Sequence, residues 1–251
     1  AAAATATFCS SSWQQQLQEA IRSVTLLAQV LDLDLEALPV SAAAAATFPL
    51  LVPRAFASRM RRGDPADPLL RQVLATRSEE QDTAGFTVDP VAEQGRYAGD
   101  PGVLHKYSGR ALLIATGQCA VNCRYCFRRH YPYDDNALSG RERQASIDRL
   151  LNDADIHEII LSGGDPLLLS DRELAAVATR VASARRPVTL RIHTRLPIVI
   201  PDRVTPSLLD ALGRHDLRTV IVLHSNHPNE LDAPTSAAIG RLAAAGITVL
   251  N

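Results

Sequence analysis

The chain has 251 residues, of which 46% are apolar and 21% charged, and this composition excludes a disordered or fibrous chain. Lys and Arg number 26 against 27 Asp and Glu, a balance that gives no sign of a nucleic-acid binder. No run of about 18 apolar residues could span a membrane, and the first residues lack the basic and apolar regions of a secretory signal. We therefore expect a cytoplasmic protein that binds neither nucleic acid nor membrane.

The first third of the chain predicts a helical region. From Trp13 to Leu31 apolar residues recur every three or four positions, which is typical of one amphipathic helix. Residues 49–79 indicate short helices broken by prolines. Glycines and prolines then punctuate 81–102, which predicts an irregular connector. We place a boundary there, with a helical region and connector over 1–90 and a second domain over 91–251.

After residue 110 the pattern changes to short apolar runs that alternate with helical segments. Little polar alternation within a run is typical of parallel strands covered on both faces. A capping box at Ser170 and Glu173, and the pair Thr205-Pro206, mark the starts of two helices. The pattern predicts an α/β barrel or a doubly wound sheet. The predicted strands are 111–116, 158–163, 188–194, 219–225 and 246–251.

The last predicted strand has no helix to cover it and no further strand to close a barrel. A half-closed barrel would leave an unpaired hydrophobic edge, which natural proteins avoid. We therefore expect the sequence to be a fragment of a longer protein.

Chemically versatile residues follow the predicted strands. Cys119, Cys123 and Cys126 come after the first, and a Ser-Gly-Gly-Asp turn over 162–165 comes after the second. His193 ends the third strand, and His224, Asn226 and His227 follow the fourth. Since the carboxyl ends of parallel strands meet at one edge of a sheet, these residues predict an active site there.

Three cysteines within eight residues suit a metal or a cluster better than disulfides. The spacing C-x3-C-x2-C suits an iron–sulfur cluster with one iron free of protein ligands. The alternative is zinc, held by the three thiolates with His130 or His193 as fourth ligand. Cys9 lies in a small, polar N-terminal segment, and we expect it to take no part in either site.

The segment CAVNCRYCFRRHYPY at 119–133 resembles the radical S-adenosylmethionine (SAM) enzymes of the lysine 2,3-aminomutase family. Further segments similar to the same family are VPRAFASRM, DPLLRQVL, GVLHKYSGRALL, LSGGDPL, RIHTRLPIVIP and NHPNE. The likeness is greatest to its branch that modifies elongation factor P by producing (R)-β-lysine. This resemblance implies a partial (β/α) radical SAM barrel, with five of about six strands, behind an N-terminal helical region.

The resemblance also implies roles for particular residues. Cys119, Cys123 and Cys126 would hold a [4Fe–4S] cluster, and Arg128 would bind the carboxylate of the substrate. Residues implied in SAM binding are Tyr125, Ser162, Gly163, Gly164, Asp165, His193 and His227. Residues implied in binding pyridoxal phosphate (PLP) are Lys106, Tyr107 and Arg110.

Structural alternatives stay open for several of these residues. Asp165 could simply cap a helix at the turn after a strand, and Lys106 and Arg110 could be solvated charges before a strand. Arg124 and Arg129 are expected to be surface or structural charges. The resemblance places the lysine that binds PLP covalently beyond Asn251, and Lys106 is the only lysine present. We therefore assign no catalytic residue, and we expect this chain alone to lack aminomutase activity.

The implied reaction is a radical 1,2-amino shift that converts L-α-lysine to (R)-β-lysine. The implied partners are a ligase that attaches β-lysine to elongation factor P and a reductant such as flavodoxin or ferredoxin, and a homo-oligomer is possible. Phe127 and the segment over 130–133 favour this branch, as does the helical start at Trp13. One alternative is a lysine 2,3-aminomutase of lysine catabolism or osmolyte synthesis. The alternative from another class is a zinc-binding structural protein.

Overall fold

A computed structural model describes residues 12–81, 83–93, 102–136 and 138–251. Cys9, which we expect to take no part in metal binding, lies outside these ranges. None of the helices in the described part of the chain combines the length and apolar character needed to cross a bilayer.

The core of the described chain is a six-stranded sheet whose spatial order is the order along the sequence. Strands β2 to β6 are parallel, and β1 pairs antiparallel with β2 at one edge. These strands do not close on themselves, so the sheet is a partial β/α barrel, as predicted. The strands are β1 Val103–Tyr107, β2 Arg110–Thr116, β3 Glu158–Gly163, β4 Thr189–Thr194, β5 Arg218–Leu223 and β6 Thr248–Leu250.

All five predicted strands are confirmed, with small differences at their ends. β1 was not predicted, because its sequence VLHKY is short and half polar and lies beside a glycine-rich connector. Only its pairing with β2, through Val103 opposite Leu113 and Leu104 opposite Leu112, holds it in the sheet.

Helices cover the parallel strands, and local sequence signals set their ends. The predicted capping box is present at α7, where the Ser170 hydroxyl accepts from the amide of Glu173 at 3.3 Å and Glu173 accepts from the amide of Ser170 at 3.0 Å. The α-helices of the described residues are α1 Trp13–Gln18, α2 Val24–Val30, α3 Ala42–Thr47, α4 Arg54–Ala57, α5 Tyr133–Asn136, α6 Gly140–Asn152, α7 Asp171–Ala182, α8 Leu196–Val199, α9 Pro206–Leu212 and α10 Ala233–Ala244. Short 3₁₀ turns occupy Leu70–Gln72, Arg77–Glu80, Pro166–Leu168, Pro201–Arg203 and Pro228–Glu230.

The prediction of one helix from Trp13 to Leu31 is wrong, since the structure has two helices there. Between them Ile21 and Val52 exchange backbone hydrogen bonds of 2.8 and 2.9 Å in an antiparallel bridge. The Ser23 side chain then caps the second helix. Helical periodicity continues across the break because both helices bury the same apolar side, so the period alone could not reveal it.

Buried arginines join the N-terminal helices to the parallel sheet. The guanidinium of Arg59 donates to the carbonyl oxygens of Glu230 and Ile198. Arg203 is fully buried, lies 4.7 Å from the centroid of the Trp13 ring and pairs with Asp171 at 2.7 Å. Because these contacts satisfy buried charges, they fix how the helical region lies against the sheet.

Candidate active site

The three clustered cysteines lie on the loop that follows β2, and the turn after β3 supports this loop. The amide of Gly164 donates to the carbonyl oxygen of Thr116, and the amide of Asp165 to that of Gln118, each at 2.7 Å. A Cβ atom on Gly164 would lie only 2.1 Å from the carbonyl oxygen of Gln118. Glycine is therefore required at this position because the two loops approach so closely.

The cysteine loop, the turn after β3 and the ends of β4 and β5 enclose a cavity of about 270 Å³. All three cysteines line it. The same cavity is lined by most of the other predicted site residues, which are Tyr125, Arg128, Ser162, Gly163, Gly164, Asp165 and His193. The structure thus brings together residues that are up to 74 positions apart in the sequence, as expected for the carboxyl edge of a parallel sheet.

The donor set of this loop, three free cysteines, suits an iron–sulfur cluster with one iron free of protein ligands. Across the described ranges, no three His, Cys, Asp or Glu side chains converge closely enough to hold one metal ion. A zinc site needs all its ligands around one ion, whereas each thiolate of an iron–sulfur cluster binds a different iron. Burial raises the pKa of Cys119 and Cys126. Both thiols therefore keep their protons at neutral pH until a metal replaces them.

Asp165 occupies the centre of the hydrogen bonding beneath the cavity. Its carboxylate accepts from the Thr194 hydroxyl at 2.6 Å and from the amides of Arg195 and Leu196 at 2.9 and 2.8 Å. It also caps the short turn after β3 by accepting from the amide of Leu167 at 3.1 Å. Burial raises the pKa of Asp165, and these hydrogen bonds oppose that rise. Asp165 therefore joins the ends of β3 and β4, and the capping alternative is present in the structure.

Arg128 is buried in the wall of the cavity and is held along one edge. Its Nε and Nη2 atoms donate to the two carboxylate oxygens of Glu93 at 2.7 and 2.6 Å, and Nη1 donates to the Ser162 hydroxyl at 2.8 Å. Fork-to-fork pairing of this kind fixes the plane of the guanidinium. Glu93 was not predicted, because it lies in the irregular connector.

The predicted histidines fall in two places. His193 lines the cavity, and its ring lies 5.9 Å from that of His224 in an edge-to-face arrangement. Burial, helped by His224, lowers the pKa of His193 to about 4, so its ring is neutral at physiological pH. His227 instead lines an adjacent groove with Asn226 and caps the turn Pro228–Glu230 through Nδ1. The structure does not bring His227 to the cysteines.

Lys106, Tyr107 and Arg110, implied in PLP binding, lie on the hairpin between β1 and β2. Arg110 is at the start of β2, opposite Glu158 at the start of β3. The cysteine loop follows the other end of β2, about 20 Å away at the rise of a parallel strand. Lys106 is exposed and donates to the carbonyl oxygen of Val91. The structure therefore does not bring these three residues to the cavity within one chain.

Comparison with known proteins agrees with the chemistry of the cavity. Residues 113–231 match the radical SAM superfamily. The chain is 43% identical over 240 residues to the L-lysine 2,3-aminomutase of Escherichia coli strain K12, and the match covers 95% of this chain and 70% of that enzyme. The chain belongs to the lysine 2,3-aminomutase family of radical SAM enzymes.

More distant members show the same relationship. The L-lysine 2,3-aminomutase of Haemophilus influenzae is 42% identical over 240 residues, covering 96% of this chain and 71% of that enzyme. That of Clostridium subterminale is 29% identical over 242 residues, covering 96% and 58%. As a radical SAM aminomutase, the protein is an isomerase whose family uses a [4Fe–4S] cluster and SAM.

Besides Glu93, three residues at the site of this aminomutase were not predicted. Arg195 lines the cavity and contacts Cys123, while Gln72 and the fully buried Glu230 hold Arg195 from behind. Arg195 and Glu230 lie in RIHTRLPIVIP and NHPNE, two segments that carry the family resemblance. A charged residue inside a segment that is otherwise apolar or forms a turn could have marked Arg195 and Glu230 as site residues. Gln72 lies in DPLLRQVL, which carries the resemblance too, on the short turn Leu70–Gln72 of the helical region.

Proposed function

We propose that this aminomutase converts L-α-lysine to (R)-β-lysine for attachment to elongation factor P. One observation carries the proposal, namely that three cysteines, the glycine turn after β3 and Arg128 line a single cavity at the carboxyl edge of the sheet. The names of the relatives supply the substrate, since each of the three compared above is called an L-lysine 2,3-aminomutase.

Cys119, Cys123 and Cys126 are proposed to hold the cluster, and its free iron would face the cavity. Tyr125, Ser162, Gly163, Gly164 and His193 would then surround SAM. When bound, the cluster and SAM supply the radical chemistry of the reaction. Neutral His193 can accept or donate a hydrogen bond without adding charge. Asp165 and His227 would support the SAM site without contacting SAM. Asp165 joins the ends of two strands, and His227 caps a neighbouring turn.

Arg128 is proposed to bind the carboxylate of lysine through its Nη1–Nη2 edge. Glu93 occupies the Nε–Nη2 edge and Ser162 accepts from Nη1, so the substrate would take the remaining N–H groups of Nη1 and Nη2. Replacing Arg128 with Lys keeps the charge and loses the two-pronged geometry. In the catalytically complete enzyme we expect the KM for lysine to rise about ten-fold or more, while iron content and SAM binding persist. An unchanged KM would assign Arg128 a purely structural role.

PLP dependence stays a prediction that rests on the resemblance. Lys106, Tyr107 and Arg110 do not fit a PLP that acts in the cysteine cavity of the same chain, because they lie at the opposite ends of the strands. We therefore derive no step through PLP. A reconstituted enzyme that forms β-lysine at the same rate with and without added PLP, after PLP removal, would contradict the prediction.

The elongation factor P branch rests on the resemblance carried by Phe127 and the segment over 130–133. The Tyr131 and Tyr133 rings lie 4.9 Å apart, and the Tyr133 hydroxyl donates to the carbonyl oxygen of Gly163 at 2.8 Å. This segment therefore supports the glycine turn of the cavity. The proposed partners are the ligase that uses β-lysine, a flavodoxin or ferredoxin as reductant, and further copies of the chain in a homo-oligomer.

The deciding experiment compares two fates of the product. Isotope-labelled lysine is supplied to the anaerobically reconstituted enzyme, with and without the ligase and elongation factor P. Label in β-lysine on elongation factor P, at a kcat/KM sufficient to support that attachment, supports the proposal. Rapid release of β-lysine that the ligase does not use would favour catabolism or osmolyte synthesis. Stoichiometric zinc without iron after anaerobic purification would favour the zinc-binding protein.

A further inference from the structure

Arg195, the first residue after β4, places a buried cation against one of the three cysteines. Its side chain is 6% exposed, and Nη1 lies 2.7 Å from the sulfur of Cys123. The same nitrogen donates to the Tyr125 hydroxyl. Arg124 is the sequence neighbour of Cys123, but its guanidinium turns away and donates to Glu79 and to the carbonyl oxygen of Phe48. The cation at the Cys123 sulfur therefore comes from a distant strand.

Three contacts hold Arg195 in place, and a fourth joins two of its partners. Its Nη2 donates to Gln72 Oε1 at 2.6 Å and lies 3.3 Å from Glu230 Oε2. Gln72 in turn donates to Glu230 Oε1 at 2.8 Å, and the backbone amide of Arg195 donates to Asp165 at 2.9 Å. Glu230 is fully buried. Burying one anion and one cation beside a metal-binding loop is costly unless they are paired, so this geometry is closely determined.

We propose that Arg195 is a positioning residue that donates a hydrogen bond to the cluster sulfur of Cys123 and makes the cluster easier to reduce. Glu230 limits this effect by partly neutralising the guanidinium. The inference rests on the proposed role of Cys123 as a cluster ligand. Reduction adds one electron, and hence negative charge, to the cluster and its sulfurs. A donated N–H from a cation stabilises the reduced form more than the oxidised form.

Removing the cation of Arg195 and removing the anion of Glu230 should shift the reduction potential of the cluster in opposite directions. A merely structural role of these residues would not give opposite shifts. Replacing Arg195 with Gln removes the cation, so the reduced-to-oxidised ratio at a fixed potential should fall about ten-fold, equivalent to about 59 mV for one electron. Arg195→Lys keeps a charge but reaches less far, and its potential should lie between those of the wild type and Arg195→Gln. Glu230→Gln leaves the guanidinium unopposed, so its potential should rise.

The measurement is a redox titration of the anaerobically reconstituted protein, followed by electron paramagnetic resonance of the reduced cluster and normalised to iron content. The matched control is Arg143→Gln. Arg143 is equally buried, but it pairs with Glu173 on a helix outside the cavity. This variant should lose stability and keep the wild-type potential.

Each outcome supports or overturns the inference. The inference is overturned if the reduction potential of the cluster is the same in the wild type and in Arg195→Gln. It is also overturned if Glu230→Gln shifts the potential in the same direction as Arg195→Gln does. If Arg195→Gln takes up no cluster, Arg195→Lys and Glu230→Gln carry the same test with their opposite signs. Absence of iron from the wild-type protein overturns the proposed function instead, so the two failures are distinguishable.

Discussion

Charged residues at the carboxyl end of the parallel sheet and those on the hairpin between β1 and β2 differ in burial. At the cysteine end, where β2 to β5 finish, Asp165, Arg128, Arg195 and Glu230 are all buried, and each makes several hydrogen bonds. At the hairpin end, where β1 turns into β2, Lys106 and the residues beside it are exposed and make few contacts.

The charged residues at both ends match motifs of the family. Those at the cysteine end are also buried and held around a cavity, whereas those on the hairpin are exposed. Both ends carry segments similar to lysine 2,3-aminomutases, and the cysteine end encloses a cavity whose charged side chains are held by hydrogen bonds. Buried charges are costly, so a network of them indicates a site whose geometry is needed. Exposed charges of the hairpin type are common on any surface and carry little stability.

Removing one cysteine of the loop should have the largest effect at the cysteine end. Cys123→Ser should abolish iron binding after reconstitution, because a cluster with two protein ligands is not retained. Cys9→Ser is the control and should keep the wild-type iron content. Equal iron loss in the two variants would contradict the assignment of the ligands.

Asp165→Asn tests whether the cysteine end is held by its buried hydrogen bonds. An amide cannot accept all four of the bonds that the carboxylate accepts, and its NH₂ would face donors. We expect the free energy of unfolding to fall by about 2–4 kcal/mol in a urea titration. Asp148→Asn, at an exposed pair with Arg180, should change it by less than about 0.5 kcal/mol. Similar losses in both would show that burial does not distinguish the two sites.

His193 should make stability depend on pH. The pKa of His193 is lowered from 6.5 to about 4, first by burial and then by His224. Between these values the unfolded chain takes a proton that the folded chain does not, so stability falls as pH decreases from 6.5 to about 4. Allowing for partial solvent screening, the loss is on the order of 2 kcal/mol. His193→Asn should flatten this part of the pH–stability curve, and an unchanged slope would place the titrating group elsewhere.

Glu79 links the helical region to the cysteine loop and should give a smaller acid effect. Burial alone would raise the pKa of Glu79, but hydrogen bonds from Arg124 and Arg129 lower it overall. Its stabilisation is present above the ordinary glutamate pKa and is lost as pH falls through the lowered value. Glu79→Gln should therefore cost about 1 kcal/mol or less at pH 7, and this cost should disappear once the pH falls below the lowered pKa of Glu79, as measured by thermal unfolding. A cost that persists in acid would indicate lost packing instead of a lost ion pair.

The smallest effect is expected at the hairpin end. Lys106→Met combined with Arg110→Gln should change the free energy of unfolding by less than about 0.5 kcal/mol, because both side chains are exposed. Iron content and SAM binding, measured by equilibrium dialysis, should equal those of the wild type. Loss of either would show that the hairpin contributes to the cavity after all, for example through another copy of the chain.

Much of the fold was predictable because its signals are local. Apolar runs placed all five parallel strands, and the capping box at Ser170 placed the start of α7. β1 and the break between α1 and α2 were missed because both depend on partners distant in sequence. β1 joins the sheet by pairing with β2 at Leu113. The first helical segment is interrupted where Ile21 pairs with Val52.

The amino-acid sequence alone indicated the motifs from which the chemistry of the site was predicted. The spacing of Cys119, Cys123 and Cys126 and the glycine turn after β3 are short motifs, and neighbouring residues carry the whole signal. It also indicated the edge of the sheet at which they meet, because parallel strands have a fixed polarity.

Only the tertiary structure decided which charges surround that chemistry. Arg195 reaches Cys123 across 72 positions of sequence, Gln72 reaches Glu230 across 158, and Glu93 reaches Arg128 from an irregular connector. The same long-range folding carried Lys106 and Arg110 away from the cavity. No local pattern encodes such contacts, because each depends on where two separate elements lie once the chain has packed.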